Sequence, residues 1–206
     1  MKSIKRNFVY SILLKVSAVI FPLITAPYIA RILEPDGVGL ASFAGTYAGY
    51  FALVAVLGIP KYGIRLTSSH RDNNEQLSKD VSELLSVSVI VTIVVTIIYL
   101  LSITIIGKLN ENYLLFLIAG IVVYLAPFNV EWFFSGIEEY GFITLRSVII
   151  RTLSVVALFI FVKSKSDLAI YLIINAAATV ITDVWNFVRM IKMGVIPRFT
   201  LEGLKP

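Results

Sequence analysis

Residues 8–39 read FVYSILLKVSAVIFPLITAPYIARILEPDGVG. From Phe8 to Leu33 the run is nearly all apolar, broken by Lys15, Pro22 and Pro27, and it stops at a turn rich in Pro, Asp and Gly. At about 1.5 Å per residue, about 20 helical residues cross a hydrocarbon core of about 30 Å, so this run spans a bilayer with length to spare. The basic start, Met1 to Arg6, resembles the n-region of a signal peptide. The apolar run is roughly twice too long for an h-region, and further apolar runs follow, so it reads as an uncleaved first helix.

The whole chain has the same character. Of 206 residues, 58% are hydrophobic, and the mean hydropathy is +0.87. Most of the chain must therefore face lipid or other buried helices. Cysteine is absent and His70 is the one histidine, which excludes a disulfide framework, a thiolate nucleophile and a two-histidine metal site. The net charge is +5. The basic residues cluster at helix ends, so membrane topology explains them and nucleic acid is not expected as a partner. No phosphate loop, G-x-S-x-G elbow or H-E-x-x-H is present, and neither an enzyme nor a cofactor is expected.

The pattern predicts an all-α membrane protein of six transmembrane helices, at about 8–33, 40–62, 81–106, 113–135, 142–162 and 167–190. Residues 1–193 form one transmembrane lobe and 194–206 a cytoplasmic tail or linker. Twelve Lys and Arg residues flank one side of these spans and four flank the other, which places both termini in the cytoplasm. The second span carries two lines of small residues, Ala41/Gly45/Gly49 and Ala44/Ala48/Ala52, suited to close helix approach. The polar segment 65–80 is expected to form a short interfacial helix, with His70 as a solvated loop residue.

Five charged residues lie more than three positions inside the span ends: Lys15, Glu131, Arg146, Arg151 and Asp183. Counted from the cytoplasmic ends they occupy one layer, roughly 6–15 Å deep, contributed by four helices. An isolated charge near the bilayer centre costs at least about 2.5 kcal/mol, so a shared depth is informative. In one reading Asp183 pairs with Arg146 or Arg151, Glu131 pairs with another base, and Lys15 snorkels to the interface. In the other, the layer lines a water-filled cavity. Its three bases and two acids then favour an anionic solute, with Lys15, Arg151 and Arg146 as binding residues and Glu131 and Asp183 as ion-pair or coupling-ion residues. Pro22 and Pro27 each remove a backbone hydrogen bond and are candidate kinks or gates.

Three motifs carry a resemblance. PYIARILEPDGVG at 27–39, GIPKYGIR at 58–65 and PFNVEWFFSGIEEYGFITLR at 127–146 resemble the bacterial polysaccharide-biosynthesis flippases. These are the Wzx-type transporters of O-antigen and capsule repeat units, in the multidrug/oligosaccharidyl-lipid/polysaccharide exporter superfamily. The resemblance implies one lobe of a MATE-like bundle that moves undecaprenyl-diphosphate-linked oligosaccharide across the bacterial cytoplasmic membrane. It also implies a cationic lumen, for which Lys15 and Arg151 are the best-placed residues. Arg31, Glu131, Gly136, Glu138 and Arg146 fall within the motifs and imply structural or gating roles.

Family members have two six-helix lobes, and the resemblance covers the first, so the implied form is half-length: a fragment, a truncated product or an assembling half. Its expected partners are membrane lipid and the lipid-linked substrate, together with a second lobe, a polymerase or glycosyltransferases. Two alternatives stand beside it: a cation-coupled small-molecule antiporter, and a non-transporting scaffold of a polysaccharide assembly complex.

Overall fold

The computed structural model describes residues 4–198, so residues 1–3 and most of the expected tail, 199–206, lie outside it. The described residues are helical throughout, with connecting turns and no strand. Four helices are long and apolar enough to cross a membrane. Large apolar side chains cover the outside, among them Leu23, Leu53 and Ile105, each more than two-thirds exposed. In water that surface would be untenable; against lipid it is the expected exterior.

Helix α1 (Ile4–Val56) contains the opening stretch. Its dihedrals stay helical through Pro22 and Pro27 and break at Glu34 (φ 58°, ψ 171°), just before Pro35. The sequence places its kinks at the two upstream prolines; the real break is one motif later. Proline disfavours a helical conformation at the residue before it, which drives Glu34 out of the helix. Two arms result, 4–33 and 35–56. Asn7 and Ser11 share a pocket with Ile64 and Ser68, so the second arm returns to the end where the first began.

The second arm ends at Val56, short of the expected 62. Residues 59–69 form a separate helix, α2 (Ile59–Ser69), polar on one side. A short helix thus sits earlier in the chain than the one expected over 65–80. Residues 74–80 instead open α3 (Asn74–Ile105), where the Asn73 side chain accepts the Glu75 and Gln76 amides, both at 3.1 Å, as an N-cap. His70 is not simply solvated: its Nδ1 lies 2.6 Å from Oδ2 of buried Asp80.

After α4 (Gly107–Asn110), the expected fourth span, 113–135, is not one helix. It divides into α5 (Tyr113–Ala119), α6 (Ile121–Tyr124), a 3-10 turn (Ala126–Phe128) and α7 (Glu131–Gly136). Gly120, Pro127 and Asn129 mark the breaks. Helices α8 (Tyr140–Phe161) and α9 (Leu168–Lys192) follow the expected fifth and sixth segments closely.

Three apolar clusters hold the bundle. At one end Ile29 and Leu33 pack on Leu158 and Val162. In the middle Ala44, Ala48 and Ala55 let the second arm approach Tyr99 and Phe116, with Tyr47 and Phe51 around them. Of the other line, Gly45 and Gly49 face outward and are exposed, while Ala41 is buried. At the other end Leu77, Val81, Trp132, Phe133, Ile143 and Met190 pack together. These clusters clamp α1 to α8 and α8 to α9, which fixes the groove described next.

Candidate functional site

A groove of about 540 Å³ runs between α1, α8 and α9. Its charged side chains are Glu131, Arg146, Arg151 and Asp183, so four of the five layer residues do come together. Three helices supply them: α7, α8 and α9.

Arg146 is 1% exposed. Its Nη2 donates to Glu131 Oε2 at 2.5 Å and to Ser147 Oγ at 3.1 Å, and its Nη1 donates to Asn186 Oδ1. The expected pairing of Glu131 with a base is therefore made, and the base is Arg146. Asp183 does not pair with either arginine: it is 3% exposed and its Oδ1 has no hydrogen-bond partner among the described residues. Arg146 Nε and Asn186 Nδ2 are likewise unpartnered. Three orphaned polar atoms in one buried cluster are uncommon in a finished interior.

Arg151, half-buried one to two turns further along α8, donates through Nη1 to Ser17 Oγ and, at 3.3 Å, to Leu14 O. Its Nη2 and Nε make no hydrogen bond among the described residues. A guanidinium carries five donors in a planar fork, so Arg151 keeps donors for a further acceptor.

Lys15 stands apart. It is exposed, makes no hydrogen bond or ion pair among the described residues, and does not line the groove. Ala18, Pro22 and Thr25 do line it, and Lys15 lies one turn before Ala18 on the same helical stripe. It sits at the groove's rim. Within the groove two guanidiniums face two carboxyl groups, so the net positive sum of the layer depends on this rim lysine. Pro22 lines the groove, whereas Pro27 is exposed and outside it.

Sequence reasoning missed the uncharged part of the wall. Asn175, Thr179, Thr182 and Asp183 all face the groove from α9, and Asn186 continues the line to Arg146. The uncharged members, Asn175, Thr179, Thr182 and Asn186, are spaced by four, three and four residues, a polar stripe on an otherwise apolar helix that is legible in the sequence. Ser147, Arg151 and Ser154 repeat the four-and-three spacing on α8, whereas the role of Ser17 follows only from the packing of α1 on α8.

Apolar helices enclosing a polar, charge-bearing groove define an integral membrane protein. Its membership is specific: residues 4–205 match the family model described as polysaccharide biosynthesis protein, and the chain belongs to that family. It is 29% identical over 210 residues to a protein of Escherichia coli (strain K12) named as an O-antigen transporter, covering 97% of this chain and 48% of the relative. A Shigella dysenteriae protein of the same name is 24% identical over 206 residues, covering 97% of this chain and 50% of the relative. The chain thus spans about half the length of the relatives it matches. No solved structure matches it.

Proposed function

We propose that the chain is one lobe of a flippase that carries an undecaprenyl-diphosphate-linked oligosaccharide across the bacterial cytoplasmic membrane, with both termini in the cytoplasm. The spare guanidinium donors of Arg151, at membrane depth in a groove, carry this reading. A diphosphate offers pairs of anionic oxygens that such a planar fork binds bidentately. Lys15 at the rim adds the charge that makes the layer cationic, and a snorkelling stem lets its ammonium follow a headgroup. Lys15 and Pro22 are exposed beside the groove, where a second lobe would supply the opposite wall. The family membership and the relatives' names support the same assignment.

Binding of farnesyl diphosphate to the detergent-solubilised chain tests it. Arg151→Ala is expected to weaken binding roughly tenfold, the loss of one charge-assisted contact, and Lys15→Ala to weaken it less. Unchanged affinity in both variants would overturn the assignment. The unpartnered carboxyl of Asp183 favours a second reading, cation-coupled antiport of a small molecule. That reading requires a cationic dye to bind the wild type and Asp183→Asn to abolish the binding.

A further inference from the structure

The groove is chemically divided along the length of α9. At the level of Arg151 its wall offers spare guanidinium donors. Asn175 precedes Asp183 by two helical turns, about 12 Å along α9, and the wall there is uncharged. Thr25, Ser154, Asn175 and Thr179 face the groove in this part.

Each of them has already spent a donor on its own helix. Ser154 Oγ donates to Ile150 O at 2.9 Å, and Thr179 Oγ1 donates to Asn175 O at 3.2 Å. Thr25 Oγ1 donates to Phe21 O at 3.2 Å, and Asn175 Nδ2 donates to Tyr171 O at 2.8 Å. A hydroxyl has one donor and two acceptor lone pairs, so a hydroxyl that donates to its own helix can only accept from a ligand. Three of the four side chains are thereby fixed as acceptors. Asn175 adds its carbonyl oxygen and keeps a single N–H.

We propose that this outer wall is a subsite for an uncharged, hydroxyl-rich sugar, and that it selects against carboxylated sugars. The inference rests on the flippase reading, because the same ligand places its diphosphate on the guanidiniums. A neutral hexose presents several O–H donors to Ser154, Thr179, Thr25 and Asn175. A uronic acid brings an acceptor-only carboxylate to a wall that is almost all acceptors, with no cation beyond Arg151 to pair it. The four side chains are half-buried to exposed, so a carboxylate facing these acceptors gains no contact there, whereas a hydroxyl donor gains one.

The test compares three probes on the solubilised chain: farnesyl diphosphate, the same lipid carrying glucose, and the same lipid carrying glucuronic acid. The two sugars differ only in the oxidation of one carbon. Glucose is expected to tighten binding several-fold over the bare diphosphate, and glucuronic acid to give no gain. Thr179→Val and Asn175→Leu are expected to erase the glucose gain and leave the bare lipid's affinity unchanged. If the bare lipid does not bind, the flippase reading itself fails. If it binds but glucose adds nothing, or glucuronic acid adds as much, the sugar subsite fails alone. A glucose gain that persists in both variants also overturns it.

Discussion

Arg146 reaches across from α8 to Glu131 on α7, Nη2 to Oε2 at 2.5 Å, with the arginine 1% exposed and the glutamate side chain 41% exposed. The two ends of this pair are therefore not equivalent. Glu131 opens on the groove and keeps solvation of its own. Arg146 depends on its partners. Truncating Glu131 strands a buried guanidinium, a loss of about 3–5 kcal/mol. Arg146→Met removes the buried charge and leaves Asn186 Oδ1 as the stranded acceptor, a loss of about 1–3 kcal/mol. Thermal unfolding in detergent is expected to rank Glu131→Ala below Arg146→Met. The reverse order would mean that the pair is not the anchor of this layer.

Close packing of α2 on α7 rests on two glycines. A Cβ on Gly63 would lie 2.6 Å from Trp132 Cδ2, and one on Gly136 would lie 2.9 Å from Ile64 O and 2.7 Å from Thr67 Cβ. Neither neighbour can yield easily, since one is a packed ring and the other includes backbone. Gly63→Ala and Gly136→Ala are expected to destabilise by about 1–3 kcal/mol. Gly45→Ala and Gly49→Ala meet nothing within 4 Å and are expected to stabilise by up to about 1 kcal/mol through helix propensity. The same unfolding assay separates the two pairs, and equal effects would contradict the packing described here.

How much of this was legible in the sequence differs by level. Long apolar runs and their charge-rich gaps showed an all-helical membrane protein, because bilayer thickness sets the helix length. Depth counting brought Glu131, Arg146, Arg151 and Asp183 to one layer, because rise per residue is fixed. Depth does not give azimuth. Lys15 shares the layer yet sits at the rim, and Asp183 shares it yet its Oδ1 has no hydrogen-bond partner among the described residues, because rotation about the helix axis is set by packing. The broken segment after Tyr113 was missed for a related reason. Hydropathy sums over a window and is blind to Gly120, Pro127 and Asn129 inside it.

His70 illustrates the limit for polar loops. Its Nδ1 lies 2.6 Å from Asp80 Oδ2, and Gln76 Nε2 donates to the other carboxylate oxygen at 2.9 Å. Asp80 is 6% exposed, so it depends on both. His70→Ala is expected to cost about 1–3 kcal/mol, as one oxygen of a buried carboxylate loses its partner. His70→Ala in an Asp80→Asn background is expected to cost far less. A double-mutant cycle on unfolding free energy measures the coupling, and a coupling near zero would return His70 to the role of a solvated loop residue.

Glu34 is held where glutamate rarely goes. Its φ of 58° with ψ of 171° lies in a region that glycine alone occupies readily, at a cost of about 1–3 kcal/mol for other residues. Its carboxylate meets Lys165 Nζ at 2.9 Å, but both side chains are more than half exposed, and such a pair contributes about 0–1 kcal/mol. Strain outweighs the ion pair. Glu34→Gly is therefore expected to raise stability by about 1 kcal/mol although it deletes a contact, and Lys165→Ala to change it little. Glu34→Val keeps the strain, loses the ion pair and is expected to destabilise. If Glu34→Gly instead unfolds more easily than wild type, the ion pair between the α1 break and the α8–α9 turn is the stronger of the two effects, and the bend at Glu34 is held from outside rather than by Pro35.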